Sequence, residues 1–255
     1  MTNRYFNTIV LTAFIIVGVF ACKKDEPKNE PSKVCKTAPK GEIFQDIPNL
    51  NFEEWYSGKS AGSPSETYYN PSPQTFWATP NNGSGDLGTL AKVPVVVFRV
   101  GGDSAYSGNY AAMIKTSEGK VGDKRTLVAG SIASGVFEID LKDPFSSLKF
   151  GKPFVKRPKK VSGYYKYYPV AGDSASAYCY VTKIDANCVI DTIGFGRRLF
   201  YDLQDEYTKF EFDVEYKNSD IPQNVVIYFS SSEAGDKFEG QVGNTLFIDE
   251  VSVAY

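Results

Sequence analysis

From residue 95 onward the chain is written in short apolar runs that alternate with polar positions or stop at turn residues. Residues 95–100 form an apolar run interrupted only by Arg99, as for a strand covered on both faces. Residues 111–116 and 127–137 follow, the second lightened by Gly130 and Gly135, which predicts a bend or bulge. Within 161–168, Val161, Gly163, Tyr165 and Tyr167 alternate with Ser162, Tyr164, Lys166 and Tyr168, so both faces carry tyrosine. Residues 176–182 and 189–193 read as a pair. In 209–216, Phe210, Phe212, Val214 and Tyr216 alternate with Lys209, Glu211, Asp213 and Glu215, the pattern of a strand with one wet face. Residues 225–230 and 246–253 are the last two strands, joined by a long loop of the kind that often carries function.

Upstream, 47–55 reads as the opening strand, whereas 56–88 is rich in Gly, Ser, Pro, Asn and aromatics and predicts turns and long loops. Gly83, Gly85 and Gly88 spell a G-x-G-x-x-G, but no strand precedes it and no helix follows, so it is a chance match. No helical run of ten or more residues follows residue 21. About eight to ten antiparallel strands predict an all-β sandwich.

The first 21 residues have another character. Arg4 precedes a short apolar run at 9–20, too short to span a bilayer comfortably but suited to a signal peptide. Val19-Phe20-Ala21-Cys22 looks like a lipobox, with Cys22 as the lipidated first residue of the mature chain. Two or three acyl chains anchor stably where one is marginal. Lys23-Lys24-Asp25-Glu26 resembles the signal that sends lipoproteins to the outer face of the outer membrane; the plain alternative is a charged linker. Residues 22–42 make a flexible tether, and 43–255 the folded domain.

Composition narrows the chemistry. The 255 residues include no histidine, which excludes Ser-His-Asp triads and imidazole zinc sites. A net charge of −2 argues against nucleic acid as a partner. Aromatics are 15% of the chain, with 17 Tyr and 18 Phe, enough to fill a core and leave rings for the surface.

Several segments carry a family likeness. Ser230–Asp249 runs Ser-Ser-Ser-x-x-Gly-Asp-x-Phe-x-Gly-x-x-Gly-Asn-Thr-Leu, then Asp249, and with Phe76-Trp77-Ala78-Thr79-x-Asn81, Phe150-Gly151-x-Pro153-Phe154, Arg157-Pro158 and Gly163-Tyr164-Tyr165-Lys166-Tyr167 it resembles the putative carbohydrate metabolism domain family. Asn244 stands where the family pattern has Ser. The resemblance spans about 43–255 and implies a jelly-roll β-sandwich that handles glycans, with no catalytic residues to carry over.

Aromatic faces stack on the apolar faces of sugar rings, and Asn or Lys beside them binds hydroxyls. Trp77 with Asn81, and Tyr164 with Lys166, are therefore the glycan-binding candidates, against the alternative that these residues are core. A glycoside hydrolase would need two carboxylates in a cleft. Glu211, Asp213 and Glu215 share a face but read as solvated, and Asp236 and Glu239 sit in a Gly-rich loop that turns on its Asp. A structural or adhesive surface module is the third possibility. The expected role is a lipid-anchored accessory that holds glycan for polysaccharide-utilisation partners.

Three further expectations concern modifications and ions. Export to an oxidising compartment and neighbouring strands predict a Cys179–Cys188 disulfide, with Cys35 left in the tether. Asp-Ser/Thr-apolar triplets mark Ser104, Ser174 and Thr192 as O-glycosylation acceptors. Asn51-Phe52-Glu53 and Asp249-Glu250 resemble the first and last strands of carbohydrate-binding jelly rolls, which share a structural calcium ion; Asp249 and Glu53 are its candidate ligands. Asp249, placed on the apolar face of Phe247 and Val251, needs a cation or several donors, and the alternative is an ordinary hydrogen-bonded or solvated Asp.

Overall fold

The computed structural model describes residues 41–60, 66–86, 91–138, 140, 147–170, 172–185 and 187–255; the expected signal peptide, Cys22, Cys35 and the expected tether up to residue 40 lie outside them. In chain order the strands are β1 Trp55–Lys59, β2 Thr67–Pro71, β3 Trp77–Ala78, β4 Gly85–Asp86, β5 Ala91–Val93, β6 Val97–Gly101 and β7 Tyr110–Lys115. They continue with β8 Ser117–Val121, β9 Lys124–Val128, β10 Ser131–Phe137, β11 Leu148–Phe150, β12 Lys152–Pro153 and β13 Lys160–Tyr168. The last six are β14 Ala175–Ile184, β15 Ile190–Phe200, β16 Gln204–Asp213, β17 Glu215–Tyr216, β18 Asn224–Ser230 and β19 Thr245–Ala254.

Two antiparallel sheets form the sandwich. The larger has eight strands, ordered β11-β10-β18-β14-β15-β17 with β12 and β3 attached, and the smaller has five, ordered β16-β13-β19-β7-β6. These are more strands than the pattern predicts, because two- and three-residue strands such as β3, β12 and β17 are too short to show periodicity. One core fills the space between the sheets. Ala177, Cys179 and Val181 of β14 and Val225, Ile227 and Phe229 of β18 face Val161, Phe210, Leu246, Ile248 and Ile114 of the smaller sheet. Burying a side chain of this size stabilises by about 1.5–3 kcal/mol, so the alternation that was legible in the sequence also supplies the driving force.

The irregular parts depart from expectation. Residues 47–54 form no strand: Asn49 and Phe52 take positive φ, and the Asn49 side chain bonds Glu54 and Ser72 backbone. The 56–88 stretch, predicted as loops, opens with the β1–β2 hairpin. The predicted bend at Gly130 is real, and separates β9 from β10: a Cβ there would lie 2.4 Å from the Lys115 amide nitrogen.

The largest departure is in β19. Glu250 adopts a φ of 46°, and the pairing with β13 slips between Ser162 and Tyr164. This bulge resets the alternation, so Leu246 and Ile248 before it and Val251 after it all face the core. Asp249 thereby lies on the outer face of the smaller sheet with Phe247, and not in the Val251 row.

Cys179 is a free, buried thiol, and Cys188 is disulfide-bonded elsewhere. The predicted Cys179–Cys188 bridge fails on register. Cys179 pairs with Gly196, while Cys188 sits in the hairpin turn beyond the Ile184–Ile190 pair. At about 3.3 Å per residue that is far beyond the ~7 Å Cα limit for a disulfide.

Candidate functional site

Strand alternation puts the even-numbered residues of β14 and β18 on the outer face of the larger sheet. Tyr178 and Tyr180 stand there beside Tyr228, since Tyr178 pairs with Tyr228 across the strands. On the other side of β14, Tyr180 pairs with Phe195 and Tyr178 with Arg197 of β15. Phe150 of β11 completes the series. Between β11 and β18 runs β10, whose outward residues here are only Ala133 and Gly135, so Phe150 and Tyr228 meet above it with ring centroids 5.4 Å apart.

The result is a continuous aromatic strip. The Tyr228 and Tyr178 rings are 6.1 Å apart and Tyr178 and Phe195 6.2 Å, with planes within 30° of parallel. Tyr180 lies 5.7 Å from Tyr178 and 5.0 Å from Phe195. Phe150 and Phe195, at its two ends, are 48% and 36% exposed. Clustered exposed apolar groups of this kind mark binding surfaces. Burial raises the tyrosine phenols, Tyr228 to about 12, so the hydroxyls stay neutral and can both donate and accept.

Charged groups flank the strip on one side. The Arg197 guanidinium approaches Glu233 at 3.9 Å, and Asp236 is close enough to act on the phenols of Tyr180 and Tyr228. Glu233 and Asp236 belong to the 231–244 loop, whose position the Ser-Ser-Ser motif fixes. Thr116 Oγ1 lies 2.7 Å from both Ser231 Oγ and Ser232 Oγ, and Ser232 Oγ donates to Asp173 at 2.7 Å. Beyond Phe195 a shallow depression lined by Thr192, Gly194, Glu215, Tyr216 and Lys217 continues to the sheet edge.

The predicted site residues fall elsewhere. Trp77 is 1% exposed, its indole N–H donates to Pro48 O at 2.9 Å, and its ring packs on Phe76 and Phe52. Asn81, also buried, donates to Tyr69 O and Val97 O and accepts the Val96 and Val97 amides. Neither can face a sugar; both are framework. Tyr164 and Lys166 do lie on a surface, the outer face of the smaller sheet. The Tyr164 ring is covered by Tyr106 at 3.8 Å, and the Lys166 ammonium sits 4.6 Å over Tyr207.

Glu53 and Asp249 each take different donors of the 104–110 loop. Asp249 Oδ2 accepts the Tyr106 and Ser107 amides at 2.8 and 3.2 Å, and Oδ1 accepts the Glu250 amide at 2.8 Å. Glu53 accepts the Asn109 and Tyr110 amides and the Asn109 side chain. The opening segment does run beside the last strand, with the Val251 amide donating to Leu50 O at 2.9 Å. Backbone donors thus supply what the calcium expectation asked of a cation. Among the described residues no three His, Cys, Asp or Glu gather as a metal site.

Glu211, Asp213 and Glu215 are exposed, and Glu211 pairs with Lys160 and Lys209 at 3.0 and 3.2 Å, as a solvated face should. Of the proposed glycosylation acceptors, Ser174 is buried with its hydroxyl on Glu233, while Ser104 and Thr192 are half-exposed.

Comparison with known proteins bears on this arrangement. The model of the putative carbohydrate metabolism domain matches residues 51–193 and 195–254. The chain belongs to that family. The carbohydrate metabolism domain fold recurs in two solved structures, both described as putative glycoside hydrolases. The one from Bacteroides thetaiotaomicron is 22% identical with a TM-score of 0.63, over 80% of this chain and 70% of that one. The one from Bacteroides vulgatus is 21% identical with a TM-score of 0.58, over 80% of this chain and 96% of that one. No curated protein matches the chain. At these identities the likeness concerns the fold of the carbohydrate metabolism domain.

Sequence reasoning missed the strip although part of its signal was present. Alternation alone sets Tyr228 opposite Val225, Ile227 and Phe229. What local pattern does not give is that β18 lies between β10 and β14, which gathers Phe150, Tyr228, Tyr178 and Phe195 from four strands.

Proposed function

We propose that this protein binds glycan chains on the aromatic strip of its larger sheet, as a non-catalytic accessory. The observation that carries the proposal is a run of partly exposed rings, with Arg197 and the carboxylates of Glu233 and Asp236 beside it. Rings supply stacking surfaces for the apolar faces of sugars, and the flanking groups supply donors and acceptors for hydroxyls. Membership of a carbohydrate metabolism family agrees with a glycan ligand.

Binding is favoured over hydrolysis by how Glu233 is engaged. Glu233 is tied to Ser174 and Arg197, which leaves it poorly placed as an acid or a nucleophile. In the cell the lipobox at Cys22 would fix the protein to the outer membrane, and Lys23-Lys24-Asp25-Glu26 would carry it to the outer surface. There it would hold polysaccharide for the proteins that degrade or import it. A glycan array with the purified protein tests this, followed by incubation of each hit and a search for product. Binding without product is expected. Product would make it a hydrolase, and silence across the array would leave a structural or adhesive module.

A further inference from the structure

We infer that the strip takes a linear oligosaccharide in extended form, lying across the strands, with one sugar over each of four rings from Phe150 to Phe195. The inference rests on the glycan-binding reading above and adds the shape and length of the ligand. Four observations carry it.

The rings come from four strands, not from alternate positions on one. For Tyr228, Tyr178 and Phe195, on adjacent strands, the spacing is set by the sheet, Phe150 joining them by reaching over β10, and neighbouring strands lie about 4.8 Å apart. That is close to the advance per residue of an extended pyranose chain. The observed centroid steps along the series are 5.4, 6.1 and 6.2 Å; Tyr228, Tyr178 and Phe195 are within 30° of parallel from one to the next, while Phe150 stands edge-on to Tyr228 at 88°, so the chain would turn where it passes onto Phe150.

Among the described residues, both ends of the strip are exposed. Phe150 at one end and Phe195 at the other are among its most exposed rings, and past Phe195 the surface falls into an open depression rather than meeting a wall. An open-ended site accepts the interior of a chain; one that reads chain ends needs a blocked terminus.

Small residues underlie the series where a larger one would break it. Ala133 and Gly135 let Phe150 reach Tyr228 over β10. At Gly135 a Cβ would lie 2.3 Å from Lys149 O, so no larger residue fits without moving β11.

The charged groups stand along one flank. Arg197, Glu233 and Asp236 line the side of the 231–244 loop, whereas the opposite flank carries the uncharged Val226, Asn224 and Thr182. A chain lying on the rings would present one edge of its hydroxyls to donors and acceptors, and a single monosaccharide would reach two rings at most.

The test is a length series. Purified full-length protein is titrated calorimetrically with β-1,4-linked gluco-, manno- and xylo-oligosaccharides of two to six residues, beside any linear glycan that binds on the array. Affinity should rise about threefold to tenfold with each sugar up to four and then level off. Phe150→Ala and Phe195→Ala, both at exposed positions where the fold has little to lose, should bring the plateau down to three. Equal affinity for the shortest and longest members, or a plateau unmoved by both variants, overturns the inference while leaving glycan binding intact. No binding to any oligosaccharide in the series or on the array overturns both.

Discussion

Asp249 Oδ2 accepts the backbone amide of Tyr106 at 2.8 Å, across 143 residues of chain. Through this bond, and its companions to Ser107 and Glu250, a buried carboxylate on the last strand holds the 104–110 loop over the smaller sheet. Burial pushes the Asp249 carboxyl up to about 6, against the pull of the three amides. A carboxyl raised on folding favours the folded state when protonated. Its contribution is complete below the ordinary value of 3.8 and is lost as pH rises through about 6. Glu53, which accepts amides of the same loop from the opening segment, runs the other way. Burial would raise it, but the Tyr110 and Asn109 amides hold it below its ordinary value of 4.5, so its contribution is lost as pH falls. Denaturant titrations of wild type and Asp249→Asn should differ by an amount that changes between pH 4 and 6, the wild type losing ground as pH rises. A constant difference across that window would contradict the assignment.

Calcium should leave the thermal midpoint where a chelator leaves it. Both carboxylates face N–H groups, whose partial positive charge opposes a cation in the same place. A ligand that binds only the folded state must raise the midpoint. A calcium-dependent rise would mean that an ion displaces the amides from Asp249 or Glu53.

The Cys179 thiol should be silent in the native protein. It is fully buried in the core, and burial pushes it up to about 12, so almost no thiolate forms at neutral pH. Alkylation of the non-reduced protein should label Cys179 only after unfolding, and peptide mapping should find no cross-link between the peptides of Cys179 and Cys188. A cross-link between them would refute the register of β14 and β15.

Trp77→Ala should destabilise by about 3–5 kcal/mol, the cost of emptying a large aromatic site in a packed core. Asn81→Ala should also destabilise, since it strips partners from the buried amides of Val96 and Val97. Denaturation midpoints decide this: a Trp77→Ala protein with wild-type stability and weakened glycan binding would restore Trp77 as a ligand contact.

Regular strands were legible wherever alternation ran uninterrupted. Residues 209–213 place Phe210 and Phe212 inward and Glu211 outward as the pattern says, but the strand predicted over 209–216 breaks at Val214, where the chain passes from β16 in the smaller sheet to β17 in the larger. Asp249 was misplaced because the bulge that resets its phase sits on Glu250, which has no glycine to announce a positive φ. Trp77 and Asn81 lie in a stretch whose Pro, Ser and Asn content reads as surface; only the tertiary contacts with Pro48, Tyr69 and Val97 bury them. Phe150 ends a three-residue strand too short for any period, so its part in the strip emerges only once β10, β18 and β14 are ordered side by side.

The central claim is that glycan binds the larger sheet's outer face and not the smaller one's. It is tested most directly by calorimetric titration of wild type, Phe195→Ala and Tyr164→Ala with the best-binding oligosaccharide. Phe195→Ala should weaken binding about tenfold, the loss of one stacked ring, and Tyr164→Ala should bind as wild type. Unchanged binding by Phe195→Ala together with a loss in Tyr164→Ala would place the site on the opposite sheet and contradict the account.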